Sequence, residues 1–340
     1  MTSDSKREKI FLTAGGVLGI PVPERKVYLH PWLTEQTITL VTGYRGTGKT
    51  WFALGIAKAI STGTKFGPWE CRDAARVMHI DGELPLVDIR ERIAGLDLDP
   101  ENSSLIFYLD AVAEMQDLAR PNLGNPAWRE KMLKLFKEEK IEVVIYDNIS
   151  ALTSGIEENK AELWDPIADF LKTARHRGTS SILYHHPNKS GDQRGTSKRE
   201  DIISNSIVLK HPPGYTRDDG ARFLVDFTKC RVSNRYLNLI ADRECKIIEI
   251  SDGRYRYEWT EPAKESSVTV LRFIKEGVAQ KNIASMLGLT PGRVSQIKGD
   301  LFKKKMIKTN GNGNVELTNG GEAFLYNHYP NSGEFSAPIG

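Results

Sequence analysis

A chain of 340 residues exceeds the roughly 100–200 residues of one ordinary domain, so two folding units are expected. Its 39% hydrophobic and 27% charged residues suit packed cores in water, and no apolar run nears the roughly 20 residues that span a bilayer. The net charge of +3 hides an asymmetry: residues 264–328 hold ten Lys/Arg against five Asp/Glu, which leaves the remainder mildly acidic and points nucleic acid towards the C-terminal part.

The charged residues 1–9 do not read as a signal peptide. Cys71, Cys230 and Cys245 lack metal-type spacing and read as reduced thiols of a cytoplasmic protein. Residues 1–34 are expected to form an arm, followed by an ATPase-type α/β domain at 35–260. Residues 38–41 form an apolar strand ending in a Gly-rich turn, and a helix follows through Trp51, Leu54, Ala57 and Ile60. Residues 76–80 are a second strand, closed by Asp81-Gly82-Glu83, and residues 105–109 a third. An amphipathic helix at 128–137 precedes the continuous apolar strand 143–146; a helix at 163–174 precedes a strand at 181–184. This alternation predicts a mainly parallel sheet covered by helices on both sides. Residues 206–209, 223–227, 246–250 and 255–259 read as antiparallel strands added to the sheet edge. A linker at 261–267 leads to a small unit at 268–328, and the Pro/Gly/Ser-rich residues 329–340 are expected to be disordered.

Residues 43–50, Gly-Tyr-Arg-Gly-Thr-Gly-Lys-Thr, match G-x-x-x-x-G-K-T between a strand and a helix. Glycines at 43, 46 and 48 let amides near Arg45 and Thr47 turn inward around phosphate oxygens, and the following helix presents its positive end to the anion. Lys49 is expected on the β- and γ-phosphates of ATP, and Thr50 on Mg²⁺. Asp147, ending the apolar strand, is expected as the second metal ligand on a neighbouring strand; the competing reading is an acid that caps a helix. Glu83 is the candidate that polarises water, provided its strand neighbours that of the phosphate loop. Asp81 is the fallback.

With these motifs in place, residues 35–250 resemble the RecA-like hexameric ATPases, in particular the RepA plasmid-helicase branch and its DnaB-type relatives. The resemblance implies that Glu83 is the catalytic glutamate and that Arg92 stacks on adenine. The strand ending in His185-His186 resembles one that senses the γ-phosphate. The polar loop at 188–198, with Lys189 and Arg194, matches a loop that touches single-stranded DNA. Lys229 and Arg231, two residues apart and hence on one face of a strand, match a pair that reaches the neighbouring subunit's nucleotide, which implies a ring of six subunits. About 35 residues precede the core, too few for the extra N-terminal domain of DnaB-type helicases, so primase coupling is not expected. The arm is expected to pack on the next subunit.

Residues 280–297 resemble a helix-turn-helix, with Thr290 as N-cap, Pro291 at the first helical position and Gly288 at the turn. Arg293, Ser295, Gln296 and Lys298 would point outward towards a duplex. A hairpin across 306–317 and a closing helix complete a winged-helix pattern, which serves DNA or protein partners. Two functions remain open: a ring-forming DNA motor, and an ATP-switched regulator or loader. A pure repressor with a dead ATPase fold conflicts with the intact Lys49, Thr50, Asp147 and Glu83.

Overall fold

A computed structural model describes residues 11–153, 161–186, 201–212, 215–251, 253–261, 265–287, 290–311 and 313–328. In chain order the first part contains α1 (Ala14–Leu18), β1 (Val27–Leu29), β2 (Leu33–Thr34), β3 (Ile38–Gly43), α2 (Lys49–Thr62), β4 (Val77–Asp81) and α3 (Leu86–Gly95). Then follow β5 (Leu105–Leu109), α4 (Asp110–Met115), α5 (Pro126–Glu138), β6 (Val143–Asp147), α6 (Ile149–Leu152), α7 (Ala161–His176) and β7 (Ser180–His185). Four strands complete the domain: β8 (Asn205–Lys210), β9 (Arg222–Lys229), β10 (Arg243–Ser251) and β11 (Arg254–Thr260).

Nine of these strands form one sheet in the order β11-β10-β9-β8-β3-β7-β6-β4-β5. The six from β8 to β5 run parallel, and β9, β10 and β11 are antiparallel additions. The chain therefore has the expected α/β architecture, a mainly parallel sheet with antiparallel edge strands. One face carries α2 and an aromatic cluster of Trp32, Phe52, Phe66, Trp69 and Phe223. The other carries α5 and α7, through Trp128, Met132, Phe136, Phe170 and Leu171. Strands β6 and β7 are buried along their whole length, which accounts for the unbroken apolar run at 143–146.

Three expectations need correction. Residues 206–209 do not run antiparallel: β8 lies parallel to β3, with Ser206 opposite Leu40. Residues 186–204 supply the dozen or more residues that a parallel return requires. The strands carrying Asp147 and Glu83 are not direct neighbours of β3, because β7 lies between β3 and β6, and β4 lies beyond β6. Parallel connections can skip positions in a sheet, and no local pattern records the skip. The arm ends earlier than residue 34: Tyr28, Leu29 and Leu33 are fully buried, so residues 27–34 belong to the core. Ahead of them Phe11, Leu18 and Val22 are largely exposed.

The C-terminal part has its own core, built on Val268, Leu271, Ile283, Val294, Ile297, Leu301 and Leu325. It runs α8 (Glu265–Lys275), α9 (Gln280–Met286), α10 (Pro291–Lys303), β12 (Ile307–Thr309), β13 (Val315–Leu317) and α11 (Asn319–His328). The α10 start is as expected, since the Thr290 hydroxyl accepts from the Arg293 amide at 3.2 Å. β12 and β13 form an antiparallel hairpin. Gly288 and residues 329–340 lie outside the described residues. No described helix is long and apolar enough to cross a membrane.

Candidate nucleotide site

Strand β3 stops at Gly43, and the chain turns through residues 44–48 into α2. Gly46 and Gly48 hold φ of 81° and 86°, which only glycine adopts without strain. A Cβ on Gly48 would also lie 2.6 Å from the Phe223 ring. Gly48 caps α2 without a side-chain hydrogen bond, which leaves the first helical amides available to an anion. The Thr47 hydroxyl donates to the Tyr44 carbonyl at 2.8 Å and braces the turn. Lys49 Nζ donates to the carbonyls of Gly43 (2.9 Å) and Tyr44 (2.8 Å), so the ammonium group lies across the inside of the loop. Burial lowers its pKa to about 8, against the attraction of Asp147 and Glu83, and the nearby Arg45 charge lowers it further. Arg45 itself is exposed at the loop tip.

The metal side is assembled by α2 rather than by strand adjacency. Asp147 ends β6, and the Thr50 side chain on the first turn of α2 lies beside it, close enough to lower the pKa of its carboxyl. Burial, followed by the charge of Asp81, raises the Asp147 carboxyl to about 7; Thr50 and Lys49 oppose the rise. Asp147 Oδ2 is buried without a hydrogen-bond partner. A hydroxyl and a carboxylate with one unpartnered oxygen are the hard donors that Mg²⁺ takes, so Thr50 and Asp147 fit that ion.

Glu83 lies just past the end of β4, and its carboxylate accepts from Asn148 Nδ2. Its Oε2 is 3.6 Å from His186 Nε2. Asn148 Nδ2 is also 3.2 Å from His186 Nε2, and Asn148 Oδ1 accepts from the Ala151 amide at 3.1 Å. That last bond fixes the orientation of the amide: Nδ2 is the donor towards both neighbours, and His186 accepts on Nε2. Burial, then the Lys49 charge, lowers the His186 pKa, which favours this neutral form. His185 is buried at the end of β7 opposite Thr42, so only the second histidine of the pair meets Glu83. Asp81, the fallback acid, has a different task. It accepts the amides of Glu83 (3.0 Å) and Leu84 (2.8 Å) and so shapes the turn that presents Glu83.

Arg92, in the last turn of α3, places its guanidinium 5.6 Å from the centre of the Trp51 ring on α2. Lys229 and Arg231 do not share a strand face: β9 ends at Lys229, and Arg231 follows on an exposed loop. Lys229 pairs with Ser206, which stands opposite Leu40, so the pair lies towards the end of the sheet remote from the phosphate loop. Lys189 and Arg194 fall outside the described residues. On α10, Arg293 and Gln296 are exposed and joined at 3.1 Å. Lys298 does not point freely outward as expected; it is half-buried and donates to Gln280 at 3.0 Å. Sequence reasoning missed Asn148, whose place beside Asp147 was the available signal, and Trp51, which was read only as an apolar helix position.

The family model described as AAA domain matches residues 3–192. Among curated proteins none matches. Two solved structures are similar at low identity. A KaiC-like protein of Pyrococcus horikoshii shares 16% identity over 68% of this chain and 93% of its own, with a TM-score of 0.46. The flagellar accessory protein FlaH of Methanocaldococcus jannaschii shares 14% over 66% and 90%, with a TM-score of 0.44. With more than half its length matched and a complete phosphate loop at the head of a parallel sheet, the chain belongs to the AAA domain family and is a P-loop NTPase.

Proposed function

We propose that the chain is an ATP-driven DNA motor that works as a ring, most simply a hexamer, and serves as a RepA-like replicative helicase or single-strand translocase of a plasmid, phage or other mobile element. One observation carries this reading. Phosphate-binding, metal-binding and water-orienting groups converge at one end of the sheet, whereas Lys229 and Arg231 sit towards its other end. Cations at that end lie away from the phosphates of their own subunit, and in a ring they would face a neighbour's nucleotide, where phosphoryl transfer calls for positive charge. Bound magnesium supplies charge neutralisation at the phosphate oxygens. The chain's own groups do the rest. Lys49 and the loop amides hold the phosphates, and Glu83, steered by Asn148, takes the proton of the attacking water.

In the sequence His186 is followed by Lys189 and Arg194, the residues taken to touch single-stranded DNA. Nucleotide state read at Glu83 and His186 is thereby passed to a single strand in the ring. The C-terminal unit acts as a winged helix that brings the motor to duplex DNA or to a protein. The second reading, an ATP-switched regulator or loader, draws on the exposed Arg293, Ser295 and Gln296 of α10. Phosphate release from ATP, with and without single-stranded DNA, separates the two. Stimulation of about tenfold or more is expected of the motor. Turnover indifferent to single strands, with tight binding to one duplex sequence, would give the regulator preference.

A further inference from the structure

Beneath the phosphate loop, three side chains form a group that nucleotide chemistry does not fully employ. Asp81 and Asp147 are register partners on β4 and β6, and His79 lies two residues before Asp81, hence on the same face. One ligand-type atom from each lies within 4.8 Å of the other two, and His79 Nε2 is 3.9 Å from Asp147 Oδ2. All three are buried: His79 is 0% exposed, Asp81 2% and Asp147 4%. Both ring nitrogens of His79, Oδ2 of Asp81 and Oδ2 of Asp147 have no hydrogen-bond partner. Buried polar atoms without partners are uncommon, and four in one place call for an explanation.

We propose that His79, Asp81 and Asp147 form a second cation site, which takes a divalent transition ion of the zinc or manganese type in the nucleotide-free chain. The other oxygen of Asp81 is engaged by the Glu83 and Leu84 amides, so Oδ2 is the one left for an ion. Phe107 stacks on the His79 ring at 5.7 Å and 30°, which holds the imidazole plane. Imidazole together with carboxylate selects zinc, manganese or cobalt over magnesium, which prefers an all-oxygen shell. Asp147 belongs to both sites, so occupancy by a transition ion bears on how the chain meets a magnesium nucleotide.

The test uses the full chain, stripped with chelator and free of nucleotide, and titrated with Co²⁺ as a visible probe. One equivalent per chain is expected, displaced by Zn²⁺ but not by equimolar Mg²⁺. His79→Gln should weaken Co²⁺ binding at least tenfold. Binding of magnesium ATP should stay within a few-fold, which shows an intact fold. Should that variant fail to fold, the chain with His185→Gln and His186→Gln, loaded with Mn²⁺, is expected to retain a nitrogen hyperfine coupling from a bound imidazole. No stoichiometric Co²⁺, undiminished binding in folded His79→Gln, or loss of the coupling in the double variant overturns the proposal.

Discussion

Glu83 is held by an amide that cannot itself remove a proton from water. Asn148 donates to its carboxylate, and His186 lies 3.6 Å away in a form whose Nε2 accepts. The carboxylate is therefore aimed without being neutralised by a formal cation. Glu83→Gln keeps the shape and loses the base; kcat is expected to fall about 10²–10⁴-fold with nucleotide affinity within a few-fold, measured by phosphate release and equilibrium binding. An unchanged kcat would remove Glu83 from the reaction. Asp147 sets a pH dependence of known sign. Its folded pKa of about 7 lies above the ordinary carboxylate value of about 4, so the folded chain carries a proton there that the unfolded chain lacks between those pH values. The resulting stabilisation is present at the acid end and is lost as pH rises through 7. Magnesium needs the ionised form, so affinity for magnesium ATP should rise from pH 6 to pH 8, by up to about tenfold per unit below 7. Calorimetry in buffers of different ionisation heat should show proton release on binding at pH 7. A flat affinity with no proton release would show that Asp147 is already ionised.

At the scale of elements, the β3–loop–α2 unit is the rigid part on which the site depends. Gly48 combines a positive φ with contact against Phe223 on β9, which joins the loop to the antiparallel side of the sheet. Gly48→Ala is expected to lower stability by about 1–3 kcal/mol in urea unfolding and to abolish nucleotide binding; full stability would mean the loop tolerates another backbone path. This unit was legible in the sequence because its chemistry is local: eight consecutive residues, glycines at the turns and an apolar strand before them. Asp147 was legible for the same reason. Strand order was not. The pairing of Asp81 with Asp147, on the third and second strands from β3, depends on which crossovers skip a position. The parallel direction of β8 depends on a connection whose course no apolar pattern encodes. Asn148 escaped notice because its role arises only when β4, β6 and β7 bring Glu83 and His186 beside it. The break after Lys229 was hidden because Cys230 and Arg231 continue the strand-like alternation past the last paired residue.

For the molecule as a whole, the AAA domain family and the sheet account for a P-loop NTPase. The exposed apolar residues Phe11, Leu18 and Val22 precede the core. The C-terminal part packs on its own core and exposes the Arg293–Gln296 pair of α10. All of this depends on the phosphate loop gripping a triphosphate with magnesium. Equilibrium binding of a fluorescent ATP analogue to the purified chain tests it most directly. The account predicts saturable binding with magnesium, weakening on chelation and a loss of about 10²-fold or more in Lys49→Ala, whose ammonium bridges the loop carbonyls. Absence of binding, or binding equal in Lys49→Ala and the unaltered chain, would contradict it.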